Sequence, residues 1–334
     1  MRIQAMAALA KGAPLEPWSY EAPELGANDV RVKVLSCGIC RSDLHMVSDD
    51  WQMSRYPLVP GHEVVGTVEA VGSAVAGLQP GARVGIGWQS GACLDCQDCA
   101  EGADNLCAQS RGTIVDGRGG FADRIVVDAR YAFPIPEAIS TDEAGPLLCG
   151  GVTVYAALRH AGMSSGQDVG VVGVGGLGHL AIQFASRLGN KVVAFTTSPD
   201  KAAGAEALGA SEVALLKDGK PPKLARPLDI IVVTAPAGMQ WGSFLGRLRR
   251  DGTLTFVASA GAPLGISADA LMFGRKRVTG SLIGSRHEIR EMLDVAARFG
   301  VRPRVEVFPL AQANEAMARV RGNAVRHRAV LRVA

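Results

Sequence analysis

Aromatic residues are scarce in this chain of 334 residues: Phe, Trp and Tyr together make up 5% of it. Charge of one sign is scarce too. The formal net charge is +3, which offers no strong attraction for nucleic acid or for an anionic membrane surface. Long apolar runs are missing. The most apolar stretch, Val169 to Phe184, contains five glycines and a histidine, whereas a membrane-spanning helix needs about 20 predominantly apolar residues. The first residues hold a brief apolar run with no cleavage pattern behind it. No secretory leader is expected, and the cytoplasm is the expected location. Disorder is excluded from the other side, because 48% of the chain is hydrophobic and 20% charged.

What is present points to two domains, as the length suggests. Residues 1–150 hold short β-branched runs (Val30 to Leu35, Val64 to Ala70, Ala82 to Ile86, Ile125 to Val127) punctuated by Gly and Pro. That pattern predicts a compact β barrel or sandwich. Residues 151–282 alternate strands with helical stretches. The predicted strands are Val169–Gly173, Lys191–Phe195, Glu212–Leu216, Leu228–Thr234, Thr253–Ala258 and Arg277–Ile283. Such alternation predicts a doubly wound parallel sheet. Residues 283–334 contain a helix at Glu288–Phe299, another at Gln312–Val320 and a strand at Arg328–Val333. They are too few for a core of their own, so a return to the first domain is expected.

Seven cysteines in a reducing compartment are not read as disulfides. Four of them, Cys93, Cys96, Cys99 and Cys107, form a C-x2-C-x2-C-x7-C knuckle. Four thiolates at this spacing can wrap a tetrahedral ion and leave no open position, which marks a structural zinc. The bacterial iron–sulfur run differs in its last gap and in the proline that follows it. Asp95, Asp98, Glu101 and Asp104 surround the knuckle, so a nucleic-acid zinc ribbon is disfavoured. The remaining ligand-type residues, Cys37, Cys40, His45, His62, Glu63 and Cys149, are dispersed. Two thiolates and one imidazole from this set would leave the fourth position that catalytic zinc requires. Spacing alone does not choose among them.

Gly173-Val-Gly175-Gly176-Leu177-Gly178 follows a predicted strand and opens a predicted helix. A tight glycine turn there lets the backbone approach a dinucleotide pyrophosphate at the helix N-terminus. An NAD-selective chain places Asp or Glu at the end of the second strand. Here Thr196, Thr197 and Ser198 stand at that place, Asp200 comes four residues late, and Lys201 follows. Ser198 as N-cap, Pro199 at the first position and Asp200 in the first turn suit the start of the next helix. The hydroxyls with Lys201 favour a 2′-phosphate, hence NADP(H), with NAD as the alternative.

The run Cys37-Gly-Ile-Cys40-Arg41-Ser42-Asp43-Leu-His45, the triplet Gly61-His62-Glu63, the knuckle and Pro146-Leu-Leu-Cys149 together resemble the zinc-dependent medium-chain alcohol dehydrogenases over essentially the whole chain. The likeness is greatest to the cinnamyl alcohol dehydrogenases and bacterial aldehyde reductases. The resemblance implies an α/β chain: a GroES-like catalytic barrel with two zinc sites, then a Rossmann domain for the cofactor. It implies Cys40, His62 and Cys149 as catalytic zinc ligands and Glu63 as a carboxylate near the metal. Ser42 would bond the substrate hydroxyl, Asp43 would orient His62, and His45 would end a proton relay. Arg41 would reach the cofactor pyrophosphate, and Cys37 would remain a buried apolar residue. Trp51 and Trp88 correspond to walls of the substrate channel, which suits a primary alcohol or a flat or slender aldehyde. Leu271, Met272 and Phe273 form an apolar segment near the domain boundary, facing unassigned. A homodimer is implied, or a tetramer, with no nucleic-acid or membrane partner. The competing readings are an enal or iminium reductase, a zinc-free quinone reductase and a non-enzymatic binding protein.

Overall fold

The computed structural model describes residues 1–235 and 238–333. The chain divides into two compact units. One comprises Met1–Cys149, Ser285–Ala297 and Pro303–Ala334; the other comprises Gly150–Gly284 and Arg298–Arg302.

The first unit is organised by the long strand Asp29–Ile39, which pairs antiparallel with Glu63–Val71 along one edge. Its other edge is shared. Arg124–Asp128 pairs with the first half and Arg328–Arg332 with the second. Arg83–Ile86, Phe133–Pro134 and Val305–Pro309 complete a seven-stranded sheet. Val30, Val32 and Val34 alternate into the core, as half-buried strands do, but Ser36 to Ile39 are buried without a break. The reason is the helix Thr141–Pro146, whose Thr141 carbonyl accepts from Ser36 Oγ at 3.0 Å. A separate hairpin, Arg2–Ala8 with Leu15–Glu21, adds Ile3, Ala5, Ala7 and Leu15 to the same core.

The second unit is a six-stranded, all-parallel sheet. Its order is Glu212–Leu215, Lys191–Thr196, Asp168–Val172, Leu228–Val233, Leu248–Phe256 and Arg277–Gly280. In chain order that is 3-2-1-4-5-6, the doubly wound nucleotide-binding arrangement. Leu228–Val233 is buried at every position, which its sequence, apolar except for Asp229, anticipates for a strand covered on both faces.

Most strands lie within a residue or two of the expected positions. Three depart further: the strand expected over Arg277–Ile283 ends at Gly280, the run Val30 to Leu35 lies in a strand that continues to Ile39, and the fifth strand of this unit begins at Leu248, not Thr253, and takes in Arg249, Arg250 and Asp251. Its polar start hides it from a hydrophobic pattern. The helix expected from Glu288 begins at Arg286, where Ser285 and Glu288 cap each other: Ser285 N–H donates to Glu288 Oε2 at 2.8 Å. Met272 and Phe273 are largely exposed, while Leu271 packs against the core of the second unit.

Candidate active site and metal centres

The knuckle thiols converge. Cys93, Cys96, Cys99 and Cys107 place their sulfur atoms within 4.8 Å of one another. Backbone N–H groups point at them: Cys96 N–H donates to Cys93 Sγ at 3.4 Å and Gln109 N–H to Cys107 Sγ at 3.3 Å. The N–H groups of Asp95 and Cys96 pull the Cys93 thiol down to about 6, whereas desolvation pushes Cys99 up to about 12. Such a cluster does not ionise fully without a cation, and four sulfurs in this arrangement fit a tetrahedral zinc.

A second group forms from Cys40, His62, Glu63 and Cys149, all buried, again within 4.8 Å. Cys40 immediately precedes the helix Arg41–Ser48. His62 immediately precedes the strand Glu63–Val71, and Glu63 opens it. Cys149 sits in a π-helical turn, Leu147–Gly151, that directly follows Pro146. Widened turns of this kind recur at functional sites, and Pro146 has no N–H with which to continue the α-helical ladder.

Cys40 Sγ lies 3.9 Å from Cys149 Sγ, and His62 Nε2 lies 3.3 Å from Cys149 Sγ. The hydrogen bond between the two sulfurs holds Cys40 well below the ordinary thiol range and Cys149 well above it. Asp43, fully buried, fixes the histidine. Its Oδ1 faces His62 Nδ1 at 3.0 Å and accepts Gly61 N–H at 2.9 Å, while Oδ2 accepts Cys40 N–H at 2.8 Å. The second ring nitrogen is thereby turned toward the thiols. Burial opposes a proton on His62, but Asp43 and Cys40 hold its pKa well above the usual histidine value.

Glu63 pairs through Oε1 with Arg328, also buried, while Oε2 has no hydrogen-bond partner. Desolvation pushes its carboxyl up to about 7 against the opposing pull of the guanidinium. Two thiols, an oriented imidazole and an unpartnered buried carboxylate oxygen make a donor set that fits zinc. Gly145 leaves space here, since a Cβ on it would come 2.5 Å from Glu63 O, and a Cβ on Gly38 would strike Glu63 Oε2.

Ser42 Oγ lies 3.7 Å from Cys40 Sγ. His45 is one turn further along the same helix, part-exposed, with Nδ1 2.7 Å from Asp50 Oδ2. Two tryptophans adjoin the group. The Trp88 ring stands edge-on to His62 at 5.1 Å, Trp51 meets Trp88 at 6.0 Å, and Trp51 lies 5.2 Å from the His45 ring. Cys37 stays out of both clusters, packed in the barrel core with its thiol raised by burial. Arg41 is exposed and donates to Asn323 Oδ1 at 2.6 Å.

In the second unit Gly173 has φ +94°, a conformation that favours glycine. A Cβ on Gly178 would strike Gly173 O, and one on Gly175 would meet nothing within 4 Å. Gly173 and Gly178 therefore shape the turn, whereas Gly175 leaves its face open for a ligand to approach. Leu177 directly precedes the helix Gly178–Arg187. Thr196 is buried and its Oγ1 accepts Ser198 N–H at 3.1 Å; Thr197 and Lys201 are exposed. Ser198 precedes the short 3₁₀ turn Pro199–Lys201, as its capping position predicts, but its side chain makes no capping bond.

Sequence reasoning missed three residues: Asp50, Arg328 and Thr234. Thr234 Oγ1 donates to Val172 O at 2.9 Å, beside the glycine turn. Only Asp50, adjacent to Trp51, carried a local signal.

Comparison with known proteins follows the same lines. The description "Alcohol dehydrogenase GroES-like domain" matches residues 26–137 and "Zinc-binding dehydrogenase" matches residues 176–298. An aldehyde reductase from Synechocystis sp. is 40% identical over 332 residues, 98% of each chain. A mannitol dehydrogenase from Petroselinum crispum is 42% identical, covering 96% of this chain and 98% of its own length. Among solved structures, a cinnamyl alcohol dehydrogenase from Sorghum bicolor superimposes with a TM-score of 0.91 at 37% identity, over 99% of this chain and 98% of that one. One from Helicobacter pylori, complexed with NADP(H), superimposes with a TM-score of 0.89 at 28% identity, over 99% and 98%. With near-complete coverage at this identity, the chain belongs to the zinc-dependent medium-chain alcohol dehydrogenase family, beside the aldehyde reductases and cinnamyl alcohol dehydrogenases.

Proposed function

We propose that this chain interconverts primary alcohols and aldehydes of flat or slender shape, using NADP(H) and a zinc ion held by Cys40, His62 and Cys149. The observation that carries the reading is this buried three-ligand group, oriented by Asp43 and walled by Trp88. When bound, the zinc supplies a Lewis acid for the substrate oxygen and the nicotinamide supplies or accepts the hydride.

The chain's own residues do the rest. Asp43 holds the His62 ring so that Nε2 is the ligand atom. Ser42, beside Cys40, takes or gives the hydroxyl proton. His45, part-exposed and backed by Asp50, passes it to water. Trp51 and Trp88 restrict width. Gly173 to Gly178 and the following helix N-terminus receive the pyrophosphate. Thr196, Thr197, Ser198 and Lys201 receive the 2′-phosphate, and no carboxylate stands at the end of the second strand to repel it. Cys93, Cys96, Cys99 and Cys107 hold a second, structural zinc.

The strand Arg277–Gly280 ends the six-stranded sheet, with exposed Met272, Phe273 and Leu282 nearby. Pairing of this edge with a second copy would form a homodimer. Among the described residues no helix is long and apolar enough to cross a membrane, and we place the chain in the cytoplasm.

The test is a panel of primary and secondary alcohols and aldehydes run with NADPH and with NADH, alongside zinc analysis of the same preparation. Reduction of primary aldehydes, a preference for NADPH by kcat/KM and two zinc ions per chain are expected. Absence of turnover across the panel, or a preference for NADH, overturns the corresponding part of the reading.

A further inference from the structure

The glycine turn of the second unit presents a row of donors. Among the described residues, no backbone carbonyl accepts from the N–H groups of Val174 to Gly178. Unpaired N–H groups at the head of a helix are what a phosphate takes up. The direction of each is tied to a carbonyl, because C=O and N–H point opposite ways across a trans peptide bond. The carbonyl of Gly175 thus sets the direction of Gly176 N–H. That peptide lies between two glycines, so no Cβ on either side restrains it from turning over.

What restrains it is His179. Gly175 O accepts the backbone N–H of His179 at 3.1 Å and faces His179 Nδ1, four residues on, also at 3.1 Å. A carbonyl oxygen only accepts, so Nδ1 carries the proton. With Gly175 O held against the helix, Gly176 N–H points away from it. The turn is open at Gly175, where a Cβ would meet nothing within 4 Å. His179 is itself held in place. It is fully buried in the first turn of the helix Gly178–Arg187. Gln183 Nε2 donates to His179 O at 3.2 Å and to Arg302 O at 2.8 Å, and Gln183 Oε1 accepts Arg302 N–H at 3.1 Å. The zinc site and the proton path make no use of this imidazole.

We propose that His179 is a positioning residue for the cofactor: its Nδ1–H fastens Gly175 O to the helix and so keeps Gly176 N–H aimed at the pyrophosphate. The inference rests on the glycine turn receiving a dinucleotide. It is indifferent to which one, since NADPH and NADH both carry the pyrophosphate.

The experiment measures Kd for NADPH and for NADH by fluorescence titration of the zinc-loaded chain, as wild type, His179→Phe and His179→Thr. Phenylalanine keeps a buried ring and loses the donor. Threonine loses the ring, but its hydroxyl bonds the carbonyl four residues back in a helix. His179→Phe is expected to weaken both cofactors about three- to tenfold, the worth of one hydrogen bond. His179→Thr should recover most of that loss. Adenosine 2′-phosphate lacks the pyrophosphate and should bind wild type and His179→Phe alike. His179→Leu is a second variant without the donor, should the phenylalanine variant not fold. Three results overturn the proposal: cofactor binding by His179→Phe equal to wild type, weaker binding by His179→Thr than by His179→Phe, or an equal loss for adenosine 2′-phosphate and NADPH. A wild type that prefers NADH, or that turns over no aldehyde, refutes the proposed activity alone, since binding by the same variants still decides the role of His179.

Discussion

Replacing Asp43 by asparagine removes one charge from the interior of the first unit and leaves shape almost untouched. The carboxylate is fully buried and faces three donors: Cys40 N–H, Gly61 N–H and His62 Nδ1. An asparagine has only one terminal oxygen. If that oxygen replaces Oδ1, the amide NH2 confronts Cys40 N–H; if it replaces Oδ2, Gly61 and His62 both lose their acceptor. At least one buried N–H is left unsatisfied in either orientation, at about 1–3 kcal/mol. The second effect is on the ligand. Removing the anion behind His62 makes its ring less basic, and loss of such a partner typically weakens metal binding about 10–100-fold, or about 1.4–2.7 kcal/mol.

The pH dependence follows in sign. Zinc needs His62 without its ring proton at Nε2, and Asp43 raises the affinity of that ring for a proton. A proton and zinc compete for this ring, so the apparent zinc affinity of the site weakens progressively as pH falls below the raised value. Asp43→Asn lowers that value, so proton competition sets in at lower pH, while the loss of the orienting anion weakens intrinsic zinc affinity. The assay is competition with a zinc chelator across pH, reading the two ions separately. The knuckle zinc should be retained and the other loosened, with a lowered Tm. If both ions are held within about threefold of wild type, well short of the expected loss, the orienting role assigned to Asp43 is wrong.

Ser42→Ala is expected to slow aldehyde reduction about 10²–10⁴-fold with NADPH affinity nearly unchanged, and His45→Ala to cost less and mainly reshape the pH–rate profile; near-full activity of Ser42→Ala rejects the relay. Thr196→Asp keeps an acceptor for Ser198 N–H but sets a carboxylate against the 2′-phosphate, so NADPH preference should fall about 10²-fold and reverse in kcat/KM. Arg328→Met strands Glu63 without its cation, at about 3–5 kcal/mol. Glu63 already sits near 7, raised by burial above its unfolded value. Without the guanidinium it rises further, so the folded variant keeps a proton that the unfolded chain has lost. The Tm deficit relative to wild type should be larger at pH 8 than at pH 5, and an equal deficit at both would contradict the buried pairing.

Short-range pattern was enough for much of this protein. The central parallel strands Asp168–Val172 and Leu228–Val233 show as mostly apolar runs because both of their faces are covered, and the glycine turn shows because Gly173 needs a backbone conformation that other residues resist. The knuckle shows because all four of its thiols come from one loop. The helix Arg41–Ser48 does not show. It is only eight residues long and largely polar, and its last carbonyls are held from outside, where Tyr56 Oη donates to Val47 O at 2.8 Å and Ser54 Oγ to Met46 O at 2.6 Å. Register decided the rest. Ala329 pairs with Ile39 and Leu331 with Cys37, so a strand from the end of the chain sets Arg328 next to Cys40 and within reach of Glu63. Gly112 comes to lie behind Trp88 because its strand pairs with Gln89. The sequence by itself determined which groups can bind zinc and a dinucleotide, since those abilities belong to residue types at close spacing. Only the tertiary structure decided which buried charge neutralises Glu63 and what stands behind Trp88, because contacts between residues 24 or 265 positions apart follow from strand pairing and are encoded at neither position alone.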